Sequence, residues 1–342
     1  MSAVRVPGNL PELVRAKFNT AKANGDVNFY PTQVAVLKIG SIPFQLRFSP
    51  SLANKPKGPP PPAGDGPGKK ATPFNPFEDP PPTALISELQ PGHRLVLNKF
   101  AVVPEHFLLV TRTFKQQAHL LAADDLAAAH ACVRAYHEHG TAGGGGGGGQ
   151  ELFVFFNSGE HSGASQPHRH LQLLPVDKMR EGLAGEGEGE GEEGWSVLAD
   201  RLTGGHDEGG VRAELPLATF AEQLAEDVGP EALRAAYVRL YRKACVAAGW
   251  DESELGDLAG DDFPAKISYN LGMTRTSLVV CPRVAEGDVV RSRDGKEVGR
   301  LALNGTLLAG TALVKSEAEW DALRADPGQL RDVLAKIGVG SR

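Results

Sequence analysis

Residues 157–174 constrain the fold of this chain most strongly, because a turn of small polar residues leads there directly into an alternating segment. In that segment His168, His170 and Gln172 alternate with one arginine and two leucines. Alternation of period two is typical of a β-strand, in which every second side chain points to the same face. We therefore expect two imidazoles and one amide on one face, beside backbone N–H groups that can bind an anion. This arrangement suits a histidine nucleophile that attacks phosphorus.

Two other interpretations of the His-x-His pattern are a metal half-site and a polar strand face without chemistry. Glutamine is a poor ligand for zinc, and no Cys, Asp or Glu lies at ligand spacing beside the pair. The turns before the pair have no purpose in a zinc site but suit a phosphate site. They are Asn157-Ser158-Gly159 and Ser162-Gly163-Ala164-Ser165. The nucleophile interpretation is favoured, and we predict no metal ligands in the protein.

Composition limits the class of protein. With 342 residues, 41% of them hydrophobic, the chain can form about two domains or one enlarged domain. We find no run of ~18 apolar residues and no apolar signal-peptide core at the N-terminus. The three cysteines are scattered, so we expect neither a disulfide framework nor a Cys-based metal site. These features predict a cytoplasmic protein, with the nucleus as a second compartment, and no membrane association.

The net charge of −6 comes largely from a Gly-Glu repeat at residues 186–193, which we expect to be a solvated loop. The rest of the chain is nearly neutral. It therefore lacks the basic surface that binding of a nucleic-acid polymer requires. A small anionic ligand remains possible, because it needs only local positive charge.

The predicted elements alternate between strands and helices. The N-terminal part should contain a helix at residues 10–24, a hairpin at 34–48 and an irregular Pro-rich segment at 50–82 that Phe74 and Phe77 attach to the body. The core should contain strands at 93–98, 107–111 and 152–156, a helix that Asp124 caps and that runs to about His139, and the histidine strand; the glycine run 143–149 should be a loop. The C-terminal part should contain a helix between Pro230 and Gly249, strands at 266–270 and 277–281, a capping box of Ser316 and Glu319, and a last helix after Pro327.

Several segments in addition to the His-x-His-x-Gln core match one family. They are Asn75-Pro76-Phe77, Leu97-Asn98-Lys99-Phe100, Pro104 to Val110, Asn157-Ser158-Gly159, Gly163-Ala164-Ser165, Ser268-Tyr269-Asn270 and Pro282-Arg283. With these residues the chain resembles the diadenosine tetraphosphate (Ap4A) phosphorylases, also called ATP adenylyltransferases, of the histidine-triad superfamily. The resemblance covers most of the chain outside the Pro-rich, poly-Gly and Gly-Glu stretches. It implies an α+β fold with a histidine-triad-like antiparallel sheet, flanked by helices and carrying long irregular insertions.

The resemblance also implies a division into three parts. Residues 1–92 would form an N-terminal helix, hairpin and Pro-rich loop that pack on the core. Residues 93–200 would form the catalytic core. Residues 201–342 would complete the nucleotide pocket. We expect a monomer.

By the same resemblance, His170 attacks the α-phosphorus of Ap4A and expels ATP, and inorganic phosphate then takes the AMP from the histidine to give ADP. Neutral imidazole is nucleophilic near its pKa of about 6.5, and covalent catalysis divides one difficult step into two. The expected ligands are the dinucleoside polyphosphate, phosphate, ATP and ADP. We expect no tightly bound cofactor, and any Mg²⁺ should be bound to the polyphosphate.

The resemblance assigns roles to further residues. Gln172 would bind a nonbridging phosphate oxygen, His168 would orient His170 or the turn, and the two small-residue turns would supply amides and hydroxyls. Asn98 and Lys99 would hold a ribose, and Lys55 would neutralise the polyphosphate unless it is only a solvated lysine. The residues expected to contact the distal nucleotide are Asn270, Met273, Thr274 and Arg275.

Gln172 bears on the type of reaction, because hydrolytic relatives carry a third histidine at this position. An amide cannot titrate, so it donates a hydrogen bond without serving as an acid or base. This favours an anionic acceptor such as phosphate over neutral water. Three alternatives stay open: a dinucleoside polyphosphate hydrolase, a hexose-1-phosphate uridylyltransferase-like enzyme, and a non-catalytic nucleotide sensor.

Overall fold

A large antiparallel sheet with helices packed against it forms the body of the protein in the computed structural model. The structure describes residues 4–54, 75–142, 150–183, 194–204, 210–258, 260 and 262–340. Most of the Pro-rich segment, the seven-glycine run and the Gly-Glu repeat lie outside these residues, as do Lys55 and Phe74.

The described residues form fifteen strands and eight α-helices. The strands are β1 (Asn28–Phe29), β2 (Gln33–Ile39), β3 (Ile42–Phe48), β4 (Leu85–Leu89), β5 (His93–Leu97), β6 (Phe100–Ala101), β7 (Phe107–Thr111), β8 (Leu152–Ser158), β9 (His170–Pro175), β10 (Phe220–Gln223), β11 (Ser268–Met273), β12 (Ser277–Arg283), β13 (Gly287–Arg291), β14 (Glu297–Ala302) and β15 (Thr311–Val314). The helices are α1 (Leu10–Asn24), α2 (Ala123–Ala142), α3 (Val176–Arg180), α4 (Leu198–Arg201), α5 (Gly210–Glu214), α6 (Pro230–Ala247), α7 (Glu317–Ala325) and α8 (Gly328–Ile337).

The main sheet has eight strands in the order β10-β12-β11-β8-β9-β7-β5-β4, and every neighbouring pair is antiparallel. It takes strands from each of the three predicted parts of the chain. Because side chains alternate along a strand, the sheet has two distinct faces. One face, here called the helix face, packs against the apolar sides of α1, α2 and α6. The buried residues of this face and of the three helices form one hydrophobic cluster. No helix of the described residues is long and apolar enough to cross a bilayer.

The opposite face of the main sheet, here called the site face, is partly covered by a second sheet. Strands β2 and β3 form the predicted hairpin, and β15 joins β3 in parallel. Residues of this second sheet, such as Phe44 and Leu46, share a hydrophobic cluster with Phe153 and Phe155 of β8. The second sheet does not cover the His170 end of β9. Other elements surround that end, and the candidate site lies there.

Most predicted elements are confirmed. The N-terminal helix, the hairpin, the core strands, the long C-terminal helix and the final helix occupy the predicted positions. Ser316 and Glu319 form the predicted capping box, with both reciprocal hydrogen bonds present. The expectation for the histidine strand needs a correction, because regular pairing begins only at His170, and His168 forms an isolated bridge with Gln116.

A buried ion pair anchors β9 from the helix face. Arg169, which lies between His168 and His170 in sequence, is fully buried, and its Nη1 lies 3.0 Å from Oδ2 of Asp125. The imidazole of His93 lies 2.7 Å from the other oxygen of this carboxylate. Burial alone would raise the pKa of Asp125, but the hydrogen bond from His93 and the charge of Arg169 outweigh it and lower the pKa to about 2.

The same carboxylate explains the start of α2. Asp124 was predicted to cap this helix, but the structure begins the helix at Ala123, and Asp125 accepts the N–H of Ala122 at 2.9 Å. Asp125 therefore joins the helix terminus to the strand that carries the histidines.

Replacing Asp125 with alanine should lower the free energy of unfolding by about 3 kcal/mol, because it leaves the Arg169 guanidinium without its buried partner. Urea denaturation followed by circular dichroism measures this change. Asp124→Ala is the matched control, since Asp124 is exposed on the same helical turn, and it should change the free energy by less than about 0.5 kcal/mol. Equal effects of the two substitutions would contradict this assignment.

Candidate active site

His170 lies at the first residue of β9, where β9 separates from its neighbour β8. The β8–β9 register runs from Leu152 and Pro175 to Phe155 and Gln172. Beyond that point the side chain of Gln117 lies between the strands: its Oε1 accepts the His170 N–H at 2.8 Å, and its Nε2 donates to the Asn157 carbonyl at 2.7 Å. The Gln117 amide thus replaces the missing ladder contacts and fixes the backbone of the candidate nucleophile.

The tautomer of His170 follows from one hydrogen bond. Its Nδ1 lies 2.8 Å from the carbonyl oxygen of His168, and a carbonyl can only accept, so Nδ1 carries the proton. The lone pair is then on Nε2, for which we find no hydrogen-bond partner among the described residues. The ring is 3% exposed and lies 5.1 Å from the Phe77 ring, centroid to centroid. Nε2 is therefore available as a nucleophile.

Burial keeps this imidazole neutral. It lowers the pKa of His170 to about 4, although the hydrogen bond to His168 opposes part of the shift. A protonated imidazole has no lone pair on Nε2. The low pKa thus keeps the ring nucleophilic throughout the neutral range.

His168 is held by both of its ring nitrogens. Nε2 lies 2.8 Å from the carbonyl oxygen of Thr111, so it is the donor, and Nδ1 accepts from Nδ2 of Asn75 at 3.0 Å. The Oδ1 of Asn75 accepts the N–H of Phe77, which sets the orientation of the amide. These contacts agree with the predicted orienting role of His168. They disfavour the metal half-site interpretation, because neither nitrogen has a lone pair left for a metal.

The described residues contain no group of three or more His, Cys, Asp or Glu side chains placed to hold a metal ion.

The turn before the histidines requires glycine at two positions. Gly159 and Gly163 have φ angles of +85° and +80°, which favour glycine. A Cβ on Gly159 would lie 2.9 Å from the Cα of Ser268, and one on Gly163 would lie 2.7 Å from the Cβ of Asn304. The sequence of small residues thus folds tightly against β11 and the segment after β14.

The turn uses its Ser162 hydroxyl internally and leaves several backbone N–H groups without an acceptor among the described residues. The Ser162 hydroxyl donates to the Gly159 carbonyl at 2.7 Å, so it stabilises the turn itself. Ala164 and Ser165 are exposed. For their N–H groups and that of Gln166 we find no acceptor within the described parts of the chain. Successive backbone N–H groups in a turn can bind an anion, and these three come shortly before the two histidines in the sequence.

Two buried asparagines form the floor of the site. Asn157 and Asn270 are directly paired on β8 and β11, and Nδ2 of Asn270 donates to Oδ1 of Asn157 at 2.9 Å. Oδ1 of Asn157 also accepts the Gly305 N–H at 2.8 Å, and Oδ1 of Asn270 accepts from Arg283. Both side chains therefore connect the C-terminal part of the chain to the His170 end of the sheet.

Two predicted contacts need correction because of strand parity. Ser158 pairs with Tyr269, and Met273 pairs with Val154, all on the helix face, where they are buried. The side chains of Ser158 and Met273 therefore point away from His170. A ligand on the site face cannot contact them.

The other two residues expected to contact the distal nucleotide, Thr274 and Arg275, make contacts within the protein. Thr274 and Arg275 follow β11 at the end remote from Asn270. The Thr274 hydroxyl donates to Asp200 at 2.5 Å, and the Arg275 guanidinium lies 3.8 Å from Glu226. These contacts give both side chains a local structural role.

Asn98 and Lys99 lie in the turn after β5. Both atoms of the Asn98 amide have partners within the protein: Oδ1 accepts the Phe100 N–H at 3.1 Å, and Nδ2 contacts the His106 ring, 2.9 Å from Nδ1 and 3.5 Å from Nε2. Lys99 is exposed, with its ammonium 5.9 Å from the centre of the Phe100 ring. The Asn98 amide is thus engaged within the protein, whereas the Lys99 side chain is exposed to solvent.

Sequence reasoning missed four residues of the site: Asn75, Arg94, His106 and Gln117. Arg94 pairs with Val110, which pairs with His170, so the three side chains lie in one row on the site face. Strand parity could have found Arg94 and His106. Asn75 and Gln117 lie in irregular segments, where no periodic signal exists.

The titration of His170 tests directly whether burial lowers the pKa of its imidazole. We expect its NMR chemical shifts to change with a midpoint near pH 4, because burial opposes the charged form. In urea the same ring should titrate near pH 6.5. The resonance is assigned by its loss in His170→Asn. A midpoint near 6.5 in the folded protein would show that the ring is solvated.

Comparison with known proteins places this arrangement in a family. The family model described as the Ap4A phosphorylase N-terminal domain matches residues 2–184, and the model described as the ATP adenylyltransferase C-terminal domain matches residues 213–340. The first model alone spans more than half of the chain.

Two curated proteins of Saccharomyces cerevisiae are similar over nearly their whole length. Diadenosine 5',5'''-P1,P4-tetraphosphate phosphorylase 2 is 29% identical over 350 residues, covering 96% of this chain and 94% of the relative. Protein APA1 is 26% identical over 350 residues, covering 97% and 95%.

Solved structures share the fold. The crystal structure of yeast Ap4A phosphorylase Apa2 has a TM-score of 0.72 at 24% identity and covers 98% of both chains. Its complex with AMP has a TM-score of 0.67 at 25% identity, covering 98% of this chain and 97% of the other. By the two family models and these whole-length similarities, the chain belongs to the Ap4A phosphorylase family.

Proposed function

We propose that the protein cleaves Ap4A with inorganic phosphate, giving ATP and ADP through an adenylylated His170. The observation that carries this proposal is the neutral, buried imidazole, whose protonated Nδ1 leaves a lone pair on Nε2. The free N–H groups of Ala164, Ser165 and Gln166 lie just before the histidines and can hold phosphate oxygens.

In the first step a bond forms between Nε2 and the α-phosphorus, and the bond from that phosphorus to the ATP oxygen breaks. The electron pair leaves with ATP. His170 keeps its Nδ1 proton and becomes a substituted imidazolium, and the His168 carbonyl dipole stabilises the new positive charge at 2.8 Å. No proton has to leave the nucleophile.

In the second step an oxygen of inorganic phosphate attacks the same phosphorus, and the P–N bond breaks. The imidazole returns to its neutral form with the same tautomer. Gln172 can donate a hydrogen bond to the transferred phosphoryl group, but it cannot take a proton from water. An acceptor that is already anionic is therefore favoured over water, which separates this reaction from hydrolysis.

The family supports the choice of substrate. The yeast relative Apa2 has been crystallised in complex with Ap4A and in complex with AMP, and these structures have TM-scores of 0.68 and 0.67 to this chain. AMP is the group that the proposed intermediate carries. We further infer that Mg²⁺, where required, arrives with the polyphosphate, and that the protein acts as a cytoplasmic and nuclear monomer.

Incubation with Ap4A should yield equimolar ATP and ADP, and only when phosphate is present. Ion-exchange chromatography separates these products. His170→Ala should reduce turnover by at least about 1,000-fold, because it removes the covalent route. His139→Ala is the control: His139 lies in the last turn of α2, with Nε2 3.6 Å from Glu12 of α1, and its loss should leave turnover unchanged.

Other products would identify the alternatives. AMP and ATP formed without phosphate would mean a hydrolase, and exchange with a hexose 1-phosphate would mean a uridylyltransferase-like enzyme. Binding of Ap4A with no turnover in the wild type would indicate a nucleotide sensor.

A further inference from the structure

A gap lies between β8 and β9 in the middle of the main sheet. Pairing of these strands ends with Phe155 and Gln172, and a continued register would pair Asn157 directly with His170. At these residues β8 remains paired with β11, and β9 remains paired with β7. The interruption at Asn157 and His170, here called the β8–β9 gap, is therefore local and is not the frayed end of the sheet.

The side chain of Gln117 occupies the β8–β9 gap. Its Oε1 accepts the His170 N–H at 2.8 Å, and its Nε2 donates to the carbonyls of Asn157 and His170 at 2.7 and 3.2 Å. In a regular ladder the His170 N–H would donate straight to the Asn157 carbonyl, over about 2.9 Å. Here an amide and two hydrogen bonds separate the same two groups, so the strands lie further apart at this point.

The backbone of Gln117 is fixed on the sheet. The residue is buried, its N–H donates to the Pro167 carbonyl at 2.8 Å, and the preceding residue, Gln116, forms an isolated bridge with His168. The amide uses Oε1 as an acceptor, and Nε2 has one N–H for each of its two carbonyl partners, so the orientation of the amide is determined. Gln117 therefore enters the gap from a fixed point and in one orientation.

The gap separates two side chains on the site face. Directly opposite residues of an antiparallel pair have Cβ atoms about 4.5–5.5 Å apart, so a closed ladder would place the Asn157 amide against the His170 ring. Attack on phosphorus requires the phosphorus within about 3–3.5 Å of Nε2, with the leaving oxygen roughly in line behind it. A closed ladder would fill space that this arrangement needs.

We propose that Gln117 is a positioning residue that holds β8 and β9 apart and thereby keeps space beside the His170 ring for the α-phosphorus. The inference rests on the proposed function. It adds that the nucleophile needs a defined strand separation as well as a neutral ring and a free Nε2. Because the register already places Asn157 opposite His170, loss of the Gln117 amide should let the ladder close.

Gln117→Ala should slow the adenylylation of His170 by at least about 100-fold, because a displacement of about 1 Å at the reacting atoms is enough for such a loss. The rate is measured in a single turnover with Ap4A in the absence of phosphate. Gln116→Ala is the matched control: Gln116 is the adjacent residue with the same side chain, which is exposed, and the rate should change by less than about twofold.

The closure of the ladder can be measured without turnover. In Gln117→Ala the His170 N–H should donate to the Asn157 carbonyl, which gives an NMR scalar coupling across the hydrogen bond between the ¹⁵N of His170 and the carbonyl ¹³C of Asn157. Wild type should lack this coupling. A normal rate in Gln117→Ala, or a slow variant without the coupling, would overturn the proposal. If Gln117→Ala does not fold, Gln117→Asn replaces it, because its amide is one methylene shorter and cannot reach both strands.

The binding of two ligands separates space for phosphate from general support of the fold. Closure of the gap should weaken the binding of AMP, whose phosphate would lie beside His170, by at least about 10-fold, and that of adenosine by less than about twofold. Isothermal titration calorimetry measures both affinities. Equal weakening of the two ligands would contradict a role in spacing. If wild type forms no adenylylated His170, the proposed function fails, whereas the coupling and the two affinities still test the role of Gln117.

Discussion

The hydrogen bond from Nδ1 of His170 to the His168 carbonyl, 2.8 Å long, is the contact on which the site depends. It fixes the tautomer, directs the lone pair to Nε2 and provides a dipole for the charge that develops in transfer. The surrounding residues keep this carbonyl in place. Asn75 and Thr111 hold the His168 ring, and Gln117 holds the backbone of His170 where β8 and β9 separate.

The alternation of side chains at the start of β9 separates anchoring contacts on the helix face from reactive groups on the site face. Arg169 points to the helix face, where Asp125 anchors it in the core. His170 and Gln172 point to the site face, where the chemistry takes place. The same segment therefore carries Arg169 of the buried ion pair on the helix face and the reactive side chains on the site face. The ion pair holds the backbone from which the reactive side chains project.

The period-two pattern predicted the fold and the centre of the site, because burial enforces strand parity. The same rule failed at Met273, since the predicted strand ended at Asn270 but β11 continues three residues further. Met273 therefore falls on the helix face. Asn75 and Gln117 could not be predicted, because they reach the histidines from segments 93 and 53 residues away without a periodic signal. Lys55 lies outside the described residues, so its role remains a prediction.

The ring atom that carries the adenylate tests the account most directly. Enzyme labelled with ¹⁵N at histidine and reacted with Ap4A in the absence of phosphate can be examined by ³¹P–¹⁵N NMR. The account predicts one phosphorus–nitrogen bond, at Nε2 of His170, with Nδ1 still protonated. A bond through Nδ1, or an adenylate on any other residue, would contradict it, because the His168 carbonyl would then not set the direction of attack.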